Sequence, residues 1–185
     1  MKKETLYLIG GSGFIGKNLV RCLSPFYGIT VFDKYIDTQF FSNYPQVQTC
    51  RLDLVIDKVP TNYPVPEFII NLASVVTAER DLSLFDILIS SNLKILLNLF
   101  ERFRDDKRLK MFIQFGSSEE YGSENSPFKE ENRENPNSPY ALVKQLTTNT
   151  SIMLHRNYGF PVMVVRPGNL FGPGQNKSIF IPYVI

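Results

Sequence analysis

The sequence has few of the residues that build metal centres and disulfide frameworks. It has no tryptophan, two cysteines and a single histidine, His155. One histidine argues against a histidine-based metal site and against a Ser-His-Asp triad, and we predict no metal site. Cys22 and Cys50 lie in apolar stretches without Cys-x-x-Cys spacing, so we expect buried, reduced thiols and a cytoplasmic protein.

A strong charge of one sign and a long apolar run are also lacking. Twenty basic and 18 acidic residues leave a net charge of +2, which is too small and too scattered to indicate a nucleic-acid or membrane surface. No apolar run has membrane-spanning length, and the first apolar run follows the start without a signal-peptide pattern. We therefore expect neither a nucleic-acid nor a membrane partner.

Short apolar runs alternate with longer segments of helical periodicity. The runs are rich in Val, Ile and Phe and carry almost no charge, which is typical of a parallel sheet buried on both faces. The alternation predicts an α/β fold with a doubly wound, Rossmann-type parallel sheet and right-handed crossovers. The predicted strands are 5–9, 29–32, 47–52, 67–72, 109–115 and 162–165, and the predicted helices are 14–23, 82–103 and 139–158.

A glycine-rich turn joins the first predicted strand to the first predicted helix. Residues 10–16 read Gly-Gly-Ser-Gly-Phe-Ile-Gly and fit two dinucleotide-binding spacings. Free N–H groups and the helix dipole favour a pyrophosphate at such a helix start. Gly10 and Gly11 permit the tight turn, Gly13 leaves room for phosphates, and Gly16 lets the helix pack closely. The alternative is a purely structural turn. The predicted cofactor contacts here are Gly10, Gly13, Phe14, Ile15 and Gly16.

An acid at the end of the second predicted strand favours NAD over NADP. Asp33 could accept hydrogen bonds from the adenosine ribose and repel a 2′-phosphate, although Lys34 partly offsets that repulsion. The alternative is an ordinary turn acid. Asp53, after the third strand, could meet the adenine or serve a turn equally well. Asn71-Leu-Ala-Ser74 ends the fourth strand, where small residues let the backbone approach the cofactor.

Tyr140 and Lys144 lie four residues apart in a predicted helix, which places them on one face. Removing a hydride from a carbinol carbon requires a base for the hydroxyl proton, and free tyrosine titrates only near pH ~10. A lysine ammonium and an oxidised nicotinamide would favour the phenolate, so we expect the pKa of Tyr140 to be lowered. An exposed helix-surface pair is the alternative. The helix follows the irregular segment 116–138, which leaves the carboxyl end of a strand where open α/β sheets bind ligands.

Seven motifs occur in one order along the chain. They are Gly-Gly-Ser-Gly-Phe-Ile-Gly (10–16), Asp33, Asp53-Leu54, Asn71-Leu-Ala-Ser74, Ser-Ser-Glu-Glu-Tyr-Gly (117–122), Ser-Pro-Tyr-Ala-Leu-Val-Lys (138–144) and Arg-Pro-Gly-Asn-Leu-Phe-Gly-Pro-Gly-Gln (166–175). Together they resemble the extended short-chain dehydrogenase/reductases, the NAD-dependent nucleotide-sugar epimerases and dehydratases.

The resemblance implies roles for the matching residues. Ser117 matches the catalytic serine or threonine, Tyr140 the base, and Lys144 its partner, which also binds the nicotinamide ribose. Such enzymes typically move a hydride from C4 of a hexose to NAD⁺ and form a 4-keto intermediate. The further cofactor contacts implied are Leu54, Leu72, Ala73, Ser74 and Pro167, and the substrate contacts are Ser118, Glu119 and Asn169, the last near the diphosphate.

One position bears on the reaction type. Ser118 stands where one dehydratase group carries an aspartate, so we favour a 4-epimerase over a 4,6-dehydratase. Glu119 could be an acid/base or a solvated loop charge. A sugar-nucleotide reductase and a non-catalytic NAD-binding domain are the alternatives to this function.

The family's members are considerably longer than this chain. We therefore expect an NAD-binding domain over 1–166 and only the start of a substrate-binding region over 167–185, so that the substrate domain is largely missing. Family members commonly pair as homodimers through a four-helix bundle. The resemblance implies the same here, through helices 82–103 and 139–158.

Overall fold

A computed structural model describes residues 3–124 and 126–176, so 177–185 of the predicted substrate-binding segment lie outside the described residues. Six parallel strands form one sheet in the order β3-β2-β1-β4-β5-β6. The order reverses at β1, which confirms the doubly wound, Rossmann-type prediction. The strands are β1 (Thr5–Ile9), β2 (Gly28–Asp33), β3 (Gln48–Arg51), β4 (Phe68–Asn71), β5 (Met111–Phe115) and β6 (Val162–Val165).

Four helices flank the strands: α1 (Phe14–Leu23), α2 (Thr38–Phe41), α3 (Leu82–Phe103) and α4 (Pro139–Tyr158). The sequence predicted α1, α3 and α4 with these bounds, and it missed α2 and a 3₁₀ turn over Ser118–Tyr121. Both missed elements are single turns held by local side-chain caps, so hydrophobic periodicity gives no signal for them.

The ends of α4 show why this stretch is helical. The Ser138 hydroxyl accepts a hydrogen bond from the Ala141 N–H at 3.1 Å, and Pro139 occupies the first turn. Gly159 ends the helix in the left-handed conformation, at φ 65°. These signals fix the helix that carries Tyr140 and Lys144.

Helix α3 is not uniform. It starts as a 3₁₀ turn over Leu82–Leu84, and a π-helical segment, Ser90–Lys94, separates the α-helical segments Phe85–Ile89 and Ile95–Phe103. A π segment shifts the phase of the residues that follow it and is frequent at functional sites. Ser90 and Ser91 of this segment line the cavity that is described below.

The core lies on both faces of the sheet because alternate residues of β1 point to opposite sides. Tyr7 and Ile9 join the cluster that includes Phe103 of α3, whereas Leu6 and Leu8 join the cluster that includes Val20 of α1. All four β1 residues are almost completely buried. This double burial is what the charge-free strand sequences predicted.

Two expectations need correction. Cys22 is exposed rather than buried, because it lies on the outer side of α1, while Cys50 is half-buried. Helix α3 is long and apolar enough to cross a membrane by length and composition alone, which the apolar runs did not indicate. Core helices of globular proteins share these two properties, and Leu96, Leu99 and Phe103 of α3 are buried against the sheet.

Replacement of Gly16 by alanine should destabilise the fold. An added Cβ would lie 2.4 Å from the Cα of Gly11, where backbone cannot yield cheaply. We expect a loss of about 2 kcal/mol in the free energy of unfolding, measured by urea and thermal denaturation. Gly28→Ala is the matched control, since its nearest neighbour, the Glu4 carbonyl oxygen, is 3.8 Å away. Equal melting temperatures for the two variants would contradict this assignment.

Candidate active site and cofactor cavity

A cavity of about 560 Å³ opens at the carboxyl ends of β1, β2 and β4. Open α/β sheets bind ligands in this position, where the strand order reverses. Nine predicted cofactor contacts line it: Gly10, Gly13, Asp33, Lys34, Asp53, Leu54, Leu72, Ala73 and Ser74. The fold therefore brings together residues that are up to 64 positions apart in the sequence.

The cavity also has walls that sequence reasoning missed. Ser12 lies within the glycine-rich turn and lines the cavity, although it was not among the predicted contacts. Val55 and Ile56 come directly after Asp53-Leu54 and form an apolar wall, with Ile56 80% exposed. Ser90 and Ser91 also line the cavity, and they lie in the π segment of α3, for which the sequence gives no signal. The predicted contacts that do not line the cavity are Phe14, Ile15, Gly16, Tyr140, Lys144 and Pro167.

The glycine-rich turn has the shape of an anion cradle. Gly10 has a φ of +74°, and a Cβ there would lie 2.8 Å from the backbone nitrogen of Ala73, so only glycine fits. Gly13 differs, because its nearest neighbour would be the Gly10 carbonyl oxygen at 3.4 Å. The space beside Gly13 is thus left free by the protein. The turn ends at the α1 N-terminus, which has no side-chain cap.

The two acids at the cavity differ in how they are held. Asp33 accepts hydrogen bonds from the Ser12 N–H at 3.0 Å and from the Tyr35 N–H at 3.1 Å, one to each oxygen. Its carboxylate is thereby fixed beside the glycine-rich turn, with lone pairs left over for a further donor. Asp53 accepts from the Val55 N–H at 3.0 Å, which is the geometry of a turn acid.

Tyr140 lies where α4 meets the end of the cavity. Its side chain is 6% exposed and packs against Leu88 of α3. The side chains of Ser117 and Ser74 lie close enough to its hydroxyl to lower its pKa. Because Ser74 lines the cavity, the tyrosine hydroxyl is next to the cavity without forming its wall. The predicted pair Ser117 and Tyr140 is therefore in contact.

Lys144 lies one turn after Tyr140 and is 3% exposed. Its ammonium lies 5.7 Å from the centre of the Tyr140 ring and donates a hydrogen bond to the Phe115 carbonyl oxygen at 3.0 Å. Gln114, also buried, donates to the same oxygen at 3.2 Å and accepts from the Asn71 amide at 2.8 Å. Polar groups at the ends of β4 and β5 thus surround the oxygen to which the lysine donates.

The expected lowering of the Tyr140 pKa is not found in the protein by itself. Burial raises the pKa of Tyr140 to about 12, and the hydrogen bonds from Ser117 and Ser74 only partly oppose it. Burial lowers the pKa of Lys144 to about 8, although the Glu120 carboxylate favours its charged form. Both shifts follow from removing a charge from water. The Lys144 ammonium donates to the Phe115 carbonyl oxygen and does not offset the effect of burial on the pKa of Tyr140.

None of the three predicted substrate residues lines the cavity. Ser118 is half-buried, and its N–H donates to the Pro167 carbonyl oxygen at 3.0 Å, which holds the 117–121 turn against the segment after β6. Glu119 is exposed, and its charge acts on Tyr140, so it lies near the site. Asn169 is exposed and does not line the cavity.

A model of the NAD dependent epimerase/dehydratase family matches residues 6–185. The chain belongs to this family. The match confirms the resemblance that the seven motifs indicated, and the family is NAD-dependent, as predicted for the cofactor. The residues of the cavity also fit NAD by their structure alone. Gly13 leaves free space at the α1 start, the buried Ser12 hydroxyl has no hydrogen-bond partner among the described residues, and Asp33 has acceptor capacity left.

Individual relatives include both dehydratases and epimerases. The dTDP-glucose 4,6-dehydratase of Streptomyces niveus is 27% identical over 199 residues, covering 96% of this chain and 57% of that protein. The solved UDP-N-acetylglucosamine 4-epimerase of Methanobrevibacter ruminantium M1, in complex with UDP-N-acetylmuramic acid, superposes with a TM-score of 0.88 at 25% identity, covering 98% and 61% of the two chains.

A solved dehydratase shares the same fold. DesIV, the dTDP-glucose 4,6-dehydratase of Streptomyces venezuelae with NAD and TYD bound, has a TM-score of 0.83 at 24% identity and covers 97% of this chain and 60% of that chain. This chain therefore spans about three fifths of the length of these relatives. The relatives agree on the family and the fold and differ in the reaction.

Replacement of Lys144 by methionine should stabilise the protein at neutral pH. Methionine fills a similar volume without a buried charge, and we expect a gain of about 2 kcal/mol at pH 7. In the native state burial lowers the lysine pKa to about 8, and in the unfolded chain it is about 10.4. Between those values the unfolded state binds more protons, so wild-type stability rises with pH and the gain should shrink.

This prediction is measured by urea denaturation from pH 7 to pH 10. The matched control is Lys129→Met, whose side chain is 67% exposed and which should change stability little at any pH. A methionine variant less stable than the wild type at pH 7 would mean that the buried ammonium stabilises the fold.

Proposed function

We propose that this chain is the NAD-binding and catalytic part of a nucleotide-sugar epimerase or dehydratase that transfers a hydride at C4 of a hexose. One observation carries the proposal. Tyr140 is buried in contact with Ser117 and Ser74, with Lys144 one helical turn away, at the end of a cavity lined by residues suited to NAD. This arrangement fits NAD as the cofactor, a UDP- or dTDP-sugar as the substrate, and the activity of the family.

In the proposed reaction, Tyr140 accepts the proton of the C4 hydroxyl while the C4–H bond breaks and a C4 carbonyl forms. Ser117 donates a hydrogen bond to the substrate oxygen and holds it against the tyrosine. When bound, NAD supplies the hydride acceptor and donor and a positive charge that favours the phenolate. Lys144 keeps a cation beside Tyr140 and fixes the local geometry through Phe115.

Between the two reaction types we favour the 4-epimerase. Ser118, which is half-buried, has no carboxyl group to donate a proton during the elimination of water. Glu119 supports the second candidate, a 4,6-dehydratase, because its carboxylate acts on Tyr140 and could serve as an acid/base. Product analysis separates them, since only the dehydratase yields a 6-deoxy-4-keto sugar.

Two further alternatives make different demands on the site. A sugar-nucleotide reductase would consume reduced cofactor in net amounts, and a non-catalytic NAD-binding domain would not need Tyr140 and Lys144 together. The buried, mutually placed pair supports an enzyme. The unpaired cysteines, Cys22 and Cys50, fit the cytoplasmic location that we also propose.

Tyr140→Phe should abolish turnover in the full-length protein while NAD remains bound. The variant keeps the ring that packs against Leu88 and loses only the proton-accepting oxygen, so we expect a loss of about 10³-fold or more in kcat. Turnover is assayed on a panel of UDP- and dTDP-hexoses, and bound NAD is quantified after denaturation. Tyr158→Phe, 58% exposed on the same helix, is the control. Turnover retained in Tyr140→Phe would exclude this tyrosine as the base.

We also propose a homodimer through α3 and α4. The two helices pack side by side through Leu88 and Val143, and each presents apolar side chains to solvent. On α4 they recur at helical spacing, with Leu142 45%, Leu146 42% and Met153 40% exposed. A second apolar helix face beside the one that covers the sheet is best covered by the same face of another copy.

Leu146→Glu should separate the dimer. A buried carboxylate at the centre of an apolar interface costs several kcal/mol, on the order of a 10²-fold or greater weakening of association. Sedimentation velocity over a concentration series measures it. Phe26→Glu, which replaces an exposed apolar side chain outside α3 and α4, should leave association unchanged. A monomeric wild type, or equal dimerisation of both variants, would exclude this interface.

A further inference from the structure

Glu120 is a completely buried acid that the proposed reaction does not use. It is 0% exposed, and its carboxylate has three partners. One oxygen accepts from the Ser117 N–H at 2.8 Å and from the Thr148 hydroxyl at 3.0 Å. The other lies 2.8 Å from Nε of Arg166. One oxygen is therefore held by two hydrogen bonds, and the other is held by the ion pair with Arg166 and has no hydrogen-bond partner among the described residues.

These three partners belong to the three elements that meet at the site. Ser117 follows β5, Thr148 lies on α4 one turn beyond Lys144, and Arg166 follows β6. The carboxylate therefore links the backbone of the predicted catalytic serine to the helix that carries Tyr140.

The surrounding residues leave space for the carboxylate and balance its charge. A Cβ on Gly116 would lie 2.4 Å from the Glu120 carboxylate oxygen, so a larger residue there would displace the carboxylate. Arg166 also donates to the Tyr121 hydroxyl at 3.0 Å and pairs with Glu134, which holds the far side of the 116–138 segment. Burial raises the pKa of Glu120, and Arg166 and the Ser117 N–H oppose that shift.

Stability alone is a poor reason for this arrangement. Buried ion pairs cost so much desolvation that apolar replacements of similar volume are often neutral or stabilising. The carboxylate instead orients its partners. The Ser117 hydroxyl accepts from the Glu119 N–H at 3.2 Å and lies close enough to Tyr140 to lower its pKa, so its orientation depends on the Ser117 backbone, which Glu120 holds.

We propose that Glu120 is a positioning residue that holds Ser117 against Tyr140 through the Ser117 N–H. The proposal rests on the proposed function for its kinetic consequence. Glu120 touches neither substrate nor cofactor in this role, and it acts through Ser117. Its removal should therefore lower kcat, with little effect on the affinity for NAD or on KM.

The test compares Glu120→Leu with Glu120→Gln in the full-length protein. Leucine removes both acceptors, and Arg166 keeps Glu134 as a partner, which limits the damage to the fold. Glutamine keeps an oxygen for the Ser117 N–H and the Thr148 hydroxyl. We expect kcat to fall about 10²-fold for leucine and to return to within about fivefold of wild type for glutamine, on the UDP- or dTDP-hexose that the wild type turns over fastest.

A double-mutant cycle with Ser117→Ala separates positioning from a general structural effect. If Glu120 acts through Ser117, then Ser117→Ala combined with Glu120→Leu should be no slower than Ser117→Ala alone. Losses that multiply would overturn the proposal. An unchanged kcat in Ser117→Ala would instead contradict the proposed function, so the two failures are distinguishable.

A readout independent of turnover is hydrogen exchange of the Ser117 amide, followed by mass spectrometry. Exchange should be fast in Glu120→Leu and close to wild type in Glu120→Gln. Should the leucine variant not fold, Thr148→Val removes only the hydroxyl that anchors the carboxylate, and we expect faster exchange of the Ser117 amide there too. Unchanged exchange in the folded variants would overturn the proposal.

Discussion

The burial of the sheet on both faces is the constraint from which the rest of the structure follows. Tyr7 and Leu8 of β1 are adjacent in sequence and are buried on opposite sides, so both faces need helices. Helical crossovers make all strands parallel, and parallel strands end at one edge. The glycine-rich turn, Asp33 and Asn71 meet there because their strands end there.

At this edge of the sheet, the ionisable side chains of the site are buried away from water. Tyr140 and Lys144 are buried for different reasons, the first by packing on α3 and the second by lying over the ends of β4 and β5. Burial disfavours both the phenolate and the ammonium. In the protein by itself Tyr140 is therefore neutral at neutral pH, and a positive charge that enters the cavity would favour its phenolate. Lys144 keeps its charge more easily because the buried Glu120 carboxylate opposes the effect of burial on the pKa of Lys144.

Most of the fold could be predicted because its signals are local. The bounds of α1, α4, β1 and β6 agree with periodicity, caps and apolar runs, and the motif residues Gly10 and Asp33 do line the cavity. The π segment, the 3₁₀ turn and the exposed position of Cys22 were missed or misjudged. Each depends on a few hydrogen bonds or on the direction in which one helix face points, which hydrophobic spacing does not encode.

The sequence by itself determined the family, the NAD-type turn and the identity of the candidate residues Ser117, Tyr140 and Lys144. Only the tertiary structure decided which groups are in contact and in which direction their pKa values shift. The pKa of Tyr140 is raised rather than lowered, and Lys144 bonds Phe115. The physical reason is that spacing along a helix sets which residues share a face, whereas desolvation and hydrogen-bond partners come from distant segments. Glu120 and Arg166, 46 positions apart, meet only in the folded chain.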